Sequence, residues 1–169
     1  MSAPDTPSFI DFEASSLDLI DSYPIEVGVC LPDGAVHSWL IRPHRQWRDW
    51  SLDAEAIHGI SRQTLVEKGR TVTQVAGYLN SLLSGPVYCD AWTFDSFWLH
   101  RLFRAAEMQP QFQLESVSLL LEPAQIEQWA SCRLEVVAEL GLPVHRAAND
   151  ARILQATWHR LTSTADGPE

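Results

Sequence analysis

Cysteine is scarce in this chain of 169 residues. There are three, Cys30, Cys89 and Cys132, and none forms a Cys-x-x-Cys pair. That odd, scattered set argues against a disulfide framework and a zinc knuckle, and suits a reducing cytoplasm. Lysine is scarcer still: of 12 basic residues, Lys68 is the sole lysine and the rest are arginine. No apolar run approaches the roughly 18 residues of a membrane span. The opening Met-Ser-Ala-Pro-Asp-Thr-Pro has no basic stretch ahead of an apolar one, so no secretory signal is expected. Internal repeats and low-complexity segments are missing too.

Basic charge is also in deficit. Against the 12 basic residues stand 22 acidic ones, a formal net charge of −10. This argues against a broad basic face that coats duplex DNA. It leaves nucleic acid open as a substrate, because charges are screened over about 8 Å and local charge outweighs the total. Arginine, the dominant base here, grips phosphate in a bidentate fork. The hydrophobic fraction of 46% and charged fraction of 20% are those of a globular chain. The length predicts one domain, over residues 8–161, between polar ends at 1–7 and 162–169 that are expected to fray.

Three strands are expected first. Ser8–Ala14 alternates apolar and acidic residues, while Pro24–Leu31 and Ala35–Arg42 flank a Pro32-Asp33-Gly34 turn and read as a hairpin. Residues 43–60 look irregular, with a short helical piece near Leu52–Ala56. Val72, Val75, Ala76, Leu79, Leu82 and Leu83 recur at helical spacing until Gly85-Pro86 stops them. A short buried strand, Val87–Cys89, precedes a helix over Phe94–Ala106. Leu114–Leu121 fits strand or helix equally. Ala124–Leu140 is helical, in one piece or two, and a last helix runs from about Ala148 to Leu161. A leading antiparallel meander followed by strand–helix units predicts an α/β fold with a mixed sheet flanked by helices.

Three short segments can carry chemistry. In Phe9-Ile10-Asp11-Phe12-Glu13, strand alternation puts Asp11 and Glu13 on one face and Ile10 and Phe12 on the other. Two carboxylates about 7 Å apart can converge on a hard divalent cation, or simply form the solvated face of a half-buried strand. Asp95, in Phe94-Asp95-Ser96, opens an amphipathic helix, where a carboxylate either serves a site or meets free N–H groups. His145 precedes the last helix and Asp150 lies in its first turn. The pair suits activation of a water, or is a surface histidine beside a helix start.

Taken in order, Asp-x-Glu, Phe-Asp and His-x-Ala-x-x-Asp resemble the DEDDh 3′–5′ exonucleases, which have an RNase H-like fold. Asp11-Phe12-Glu13-Ala14-Ser15-Ser16-Leu17 is similar to that family's Asp-x-Glu-Ala-Thr-Gly-Leu form, and Ile57-His58-Gly59-Ile60 to its His-Gly-Ile segment. The resemblance covers residues 8 to about 161. It implies that Asp11, Glu13, Asp95 and Asp150 bind two divalent metal ions, Mg²⁺ or Mn²⁺, and that His145 is the general base. It also implies that Ala14 and Leu17 line the 3′-terminal nucleotide. The sequence departs from the family at Ser16, where glycine is frequent, and at Ala91-Trp92-Thr93, which lacks the family's His-Asn before Phe-Asp.

Further substrate contacts are expected from His58, from Phe94 and from the basic, aromatic stretch containing Arg45 and Trp47, through phosphate and base-face contacts. A loop whose tryptophans pack on the core is the other reading of that stretch. The expected substrate is the 3′ end of single-stranded RNA or DNA. The Asp-Phe-Glu-Ala start resembles ribonuclease members slightly more. A catalytically silent nucleic-acid- or protein-binding module on the same fold is the competing reading. A serine hydrolase built on His145 lacks a Gly-x-Ser-x-Gly elbow. Several of the seven tryptophans are expected at the surface, which leaves room for a homodimer.

Overall fold

A computed structural model describes residues 5–163. The elements run β1 (Ser8–Ala14), β2 (Pro24–Cys30), β3 (Val36–Leu40), α1 (Leu52–His58), α2 (Arg62–Lys68), α3 (Val72–Leu82), β4 (Gly85–Cys89), α4 (Trp92–Ala105), β5 (Phe112–Ser116), a 3₁₀ turn (Val117–Leu120), α5 (Pro123–Leu140) and α6 (Ala147–Ser163). The strands form one sheet in the order β3-β2-β1-β4-β5. β1 pairs antiparallel with β2, and β2 antiparallel with β3. β4 runs parallel to both β1 and β5. The expected mixed sheet, antiparallel on one side and parallel on the other, is therefore the observed one.

Strand alternation divides the interior into two clusters. Ile10, Phe12 and Ala14 of β1 join Ile25, Val27 and Val29 of β2 in a core with Leu79 of α3 and Leu102 and Phe103 of α4. On the opposite face, Phe9 and Cys30 join Trp129 and Val136 of α5 and Ile153, Leu154 and Trp158 of α6. β1 is central, so both of its faces are covered by helices. Asp11 and Glu13 share the α5/α6 face with their register partners Gly28 and Glu26 on β2.

Several expectations change. α2 was not expected; Ser61 caps it, accepting from the Thr64 N–H, but it buries Leu65 alone, too little to create a periodic signal. Gly85 and Pro86 open β4 instead of only stopping α3. Pro86 pairs with Gln113 of β5 only, because pairing with β1 begins at the next residue, Val87, so its missing N–H is tolerated on the β1 side. Leu114–Leu121 is divided between the end of β5 and the 3₁₀ turn. α5 is one helix, and α6 extends to Ser163, so Thr162 and Ser163 are not part of a frayed tail. The remaining ends, 1–4 and 164–169, lie outside the described residues. Trp47, Trp98, Trp129 and Trp158 are buried, Trp39 and Trp50 are half-buried and Trp92 is exposed, so fewer tryptophans reach the surface than expected. The buried rings fill the two cores, where their area stabilises most. Among the described residues no helix is long and apolar enough to cross a membrane.

Gly28 fixes how α6 sits on the sheet. A Cβ there would lie 2.3 Å from the carbonyl carbon of Ala147 and 2.5 Å from the amide nitrogen of Ala148. Both are backbone atoms that cannot step aside. Gly28→Ala is expected to destabilise the fold by about 1–3 kcal/mol through overpacking. Gly77→Ala, in the interior of α3 with open space around it, is expected to stabilise by about 1 kcal/mol. Urea denaturation of the two variants checks both signs.

Candidate active site

The C-terminal end of β1 delivers Asp11 and Glu13 to the α6 face of the sheet. The β1–β2 register slips between Glu13 and Ala14, an irregularity that bends the strand as it leaves the pairing. Asp95 comes from the first turn of α4, which follows β4 directly. Ala91, at the cap position, makes no side-chain hydrogen bond, so Asp95 is not the cap itself. It is 2% exposed. Asp150 comes from the first turn of α6 and is 7% exposed. His145 sits just ahead of that helix and is exposed.

Glu13, His145 and Asp150 bring ligand atoms within 4.8 Å of one another. Asp11 and Asp95 lie beside this trio without joining it at that distance, and their charges reach it. Burial first, then the charges of Asp95, Asp150 and Glu13, hold the Asp11 carboxyl well above its usual range. Burial, then the charge of Asp150 and a hydrogen bond to it, raise Glu13 to about 8. Asp95 is raised to about 7, chiefly by burial, against the lowering effect of the Cys89 thiol and nearby backbone groups. Asp150 is also raised, by burial first. The half-buried Arg133 of α5 is close enough to lower both Asp11 and Asp150. Nothing in its local sequence marked it.

His145 is held by its backbone. Its N–H donates to both carboxylate oxygens of Asp150, at 3.1 Å each. Its φ of 63° lies in the left-handed region, which a non-glycine residue occupies at a cost of about 1 kcal/mol or more. Glu26 on β2 supports that conformation. Only 3% exposed, it accepts from the Arg146 guanidinium, with a shortest contact of 2.7 Å, and from the Ala147 N–H at 2.9 Å. One carboxylate thus caps α6 and ties the residue after His145 to the sheet, two residues from the Gly28 contact. Sequence reasoning missed Glu26, because its partner lies 120 residues away.

The expected substrate contacts separate. Leu17 is 71% exposed on the loop after β1. Asp49 anchors that loop, accepting from the Ser15 and Ser16 hydroxyls at 2.8 and 2.7 Å. Ala14 is buried at the end of β1, and Phe94 is half-buried against Trp98. His58 is buried at the end of α1; its Nδ1 accepts from the Ile60 N–H, while its Nε2 has no hydrogen bond. Arg45 is exposed on the 43–50 segment. Trp47 is not a free stacking platform. It is 4% exposed, stacks on Tyr23 at 5.2 Å and carries the Arg101 guanidinium near its ring.

The donor set fits hard divalent cations. It offers four carboxylates, and Oδ2 of Asp11 and Oδ2 of Asp95 are buried without a hydrogen-bond partner. Oxygens in that state cost free energy unless a cation or a proton meets them.

No protein-family model matches the chain, and no curated protein matches it by sequence. Solved structures do match. E. coli Exonuclease I in complex with a dA16 oligonucleotide superposes with a TM-score of 0.70 at 14% identity, over 93% of this chain and 40% of that one. The zinc-bound form of the E. coli ExoI–ssDNA complex gives 0.70 at 13% identity, over 94% and 40%. A moderately thermophilic Exonuclease I from Methylocaldum szegediense gives 0.66 at 16% identity, over 96% and 41%. The chain therefore spans about two fifths of these proteins and shares their fold, the expected RNase H-like one.

Two outcomes follow from the electrostatics. Glu13 and Asp95 have folded-state values near 8 and 7, above their ordinary 4.5 and 3.8. Their protonated forms favour the folded state, so the stability they contribute is full below about pH 4 and lost as pH rises to about 8. The melting temperature of the chelator-treated protein is expected to fall across that window. Mg²⁺ or Mn²⁺ at pH 8 is expected to restore it, by about 2.7 kcal/mol at a hundredfold excess over the dissociation constant, and to act more weakly on Asp11→Asn. An equal response in wild type and variant would remove Asp11 from the ligand set. Separately, Glu26→Ala is expected to cost about 2 kcal/mol in urea denaturation, discounted for the half-exposed Arg146. Glu26→Gln, which keeps an acceptor for the Ala147 N–H, is expected to cost less.

Proposed function

We propose that the chain is a metal-dependent 3′–5′ exonuclease of the DEDDh type acting on single-stranded nucleic acid. One observation carries the reading: Glu13 of β1, Asp150 of α6 and His145 just ahead of that helix bring ligand atoms within 4.8 Å of one another, with Asp11 and Asp95 near enough for their charges to act, on a sheet that shares the fold of exonuclease I. Two of the solved neighbours were captured with DNA, an oligonucleotide in one and single-stranded DNA with zinc in the other. The opening Asp-Phe-Glu-Ala leans toward RNA, so both sugars belong in the test.

A phosphodiester is already an anion, and attack by water adds charge to it. Two divalent cations, when bound, offset that charge and make the water more acidic. Asp11, Glu13, Asp95 and Asp150 are the residues that would hold them, −4 against +4, leaving the loaded site near neutral. His145 is the general base: an exposed imidazole takes the proton of the attacking water on a ring nitrogen and passes it to solvent. Its bifurcated backbone hydrogen bond to Asp150 ties the base to a ligand-bearing helix, so base and ligands keep one geometry. Leu17 on the loop after β1 and Ala14 at the end of that strand flank the terminal nucleotide.

The test uses 5′-labelled single-stranded RNA and DNA, each with Mg²⁺, with Mn²⁺ and with chelator. A ladder shortening from the 3′ end is expected, dependent on metal and absent in Asp11→Asn. His145→Ala is expected to slow cleavage by about 10²–10⁴-fold, the usual worth of a general base. Intact strands in every lane, with metal bound and the fold retained, would favour the silent binding module instead.

A further inference from the structure

Outside the carboxylate cluster, a chain poor in cations gathers several of them in one groove. The 43–50 segment forms one wall and the outer face of α4 the other. The groove encloses about 760 Å³, and Arg45, Arg101, Arg104, His44 and His100 line it against a single acid, Glu107. Arg101 belongs to its framework. Its guanidinium lies 5.7 Å from the Trp47 ring centre and 5.8 Å from that of Phe97, and donates to the Ile20 carbonyl at 3.0 Å.

Arg45 and Arg104 behave differently. Both are exposed, and among the described residues neither guanidinium has a hydrogen bond or an ion pair. On a chain with 22 acidic residues, two arginines on opposite walls form no ion pair.

The groove is joined to the site at both walls. Asp49, on the segment that carries Arg45, anchors the Ser15 and Ser16 hydroxyls beside Leu17. Arg101 holds Ile20 on the same loop. α4 itself starts at the carboxylates with Asp95. Phe94 and Arg101, seven residues apart, share a helical stripe, as do Phe97 and Arg104. At 1.5 Å per residue, Arg101 and Arg104 lie about 9 and 14 Å along the axis from Asp95.

We propose that this groove carries the phosphodiester backbone of a single strand on the 5′ side of its terminal nucleotide. Arg45 and Arg104 contact phosphates there, and the half-buried Phe97 offers a face to a base. The proposal rests on the strand-binding part of the function above, and it extends the site away from the carboxylates.

Fluorescence anisotropy tests it in the Asp11→Asn background, which prevents turnover. A labelled dinucleotide, too short to reach the groove, and a twelve-nucleotide strand are titrated against that protein and against the same protein carrying Arg45→Gln and Arg104→Gln. The ratio of long-strand to dinucleotide affinity is expected to fall about tenfold in the double variant. The salt dependence of long-strand binding is expected to lose about 1.4 in log–log slope, two phosphate contacts' worth. Circular dichroism of both proteins checks the fold. An unchanged ratio, no binding by either protein, or equal competition by polyglutamate overturns the groove. Turnover by wild type separates the two readings. Hydrolysis with an unchanged ratio sinks the groove and spares the nuclease, while an arginine-dependent ratio without hydrolysis does the reverse.

Discussion

Crowding of like charge at the C-terminal end of β1 is the constraint that the rest of the structure answers. Two full charges 4.8 Å apart, the limit that holds for Glu13 and Asp150, repel by about 3 kcal/mol at an effective dielectric constant near 20. Asp11 and Asp95 add to this from positions with buried, unpartnered oxygens. A domain of this size has a net stability of about 5–15 kcal/mol, so several such pairs cannot stay ionised together. The carboxyls keep protons instead, which is what the raised values of Glu13 and Asp95 express, or they meet cations. Arg133 gives partial relief to Asp11 and Asp150 from the helix opposite.

A site that works against itself electrostatically needs a frame that does not move. β1 supplies it by being central and covered on both faces. Asp95 enters from the layer built on α3 and α4, Asp150 from the layer built on α5 and α6, and they meet where β1 leaves the sheet. The α6 side is fixed by two neighbours on β2. Gly28 permits backbone contact, and Glu26 neutralises Arg146 while capping the helix. The strained backbone of His145 persists because both sides of it are tied, to Asp150 before the helix and to Glu26 after it.

How much of this was legible follows from the range of each interaction. The alternation in Ile10-Asp11-Phe12-Glu13 is local, and it placed the carboxylates on one face correctly. The periodic runs of α3 to α6 were visible for the same reason, because each buries a stripe wide enough to leave a pattern. α2 left no such trace with one buried residue. Pro86 was read only as a breaker, since its tolerance depends on where a neighbouring strand begins. Trp47 was open to two readings: its composition suited nucleic acid, but burial against Tyr23 was decided by tertiary packing. The Glu26–Arg146 pair was invisible because a register in β2 and a helix start near the other end of the chain create it. The third motif was read as chemistry in His145 and Asp150, and the arginine between them turned out to hold the architecture.

The net charge of −10 then takes on a physical meaning. In the proposed nuclease, a carboxylate cluster would repel a phosphodiester until cations offset its charge, and a strand approaching the acidic surface would meet the same sign over most of it. Attraction has to be local, within about 8 Å of the charges that provide it. It also has to sit apart from the carboxylates, which would otherwise neutralise it. α4 meets both conditions with one rigid element. Its first turn is committed to the acidic site, and its outer face, two turns further on, carries arginines toward an opposing wall. A helix separates the carboxylates from the arginines by distance while fixing their relative position, which a flexible loop could not do. On this chain the acidic excess and the basic groove are therefore two halves of one electrostatic arrangement.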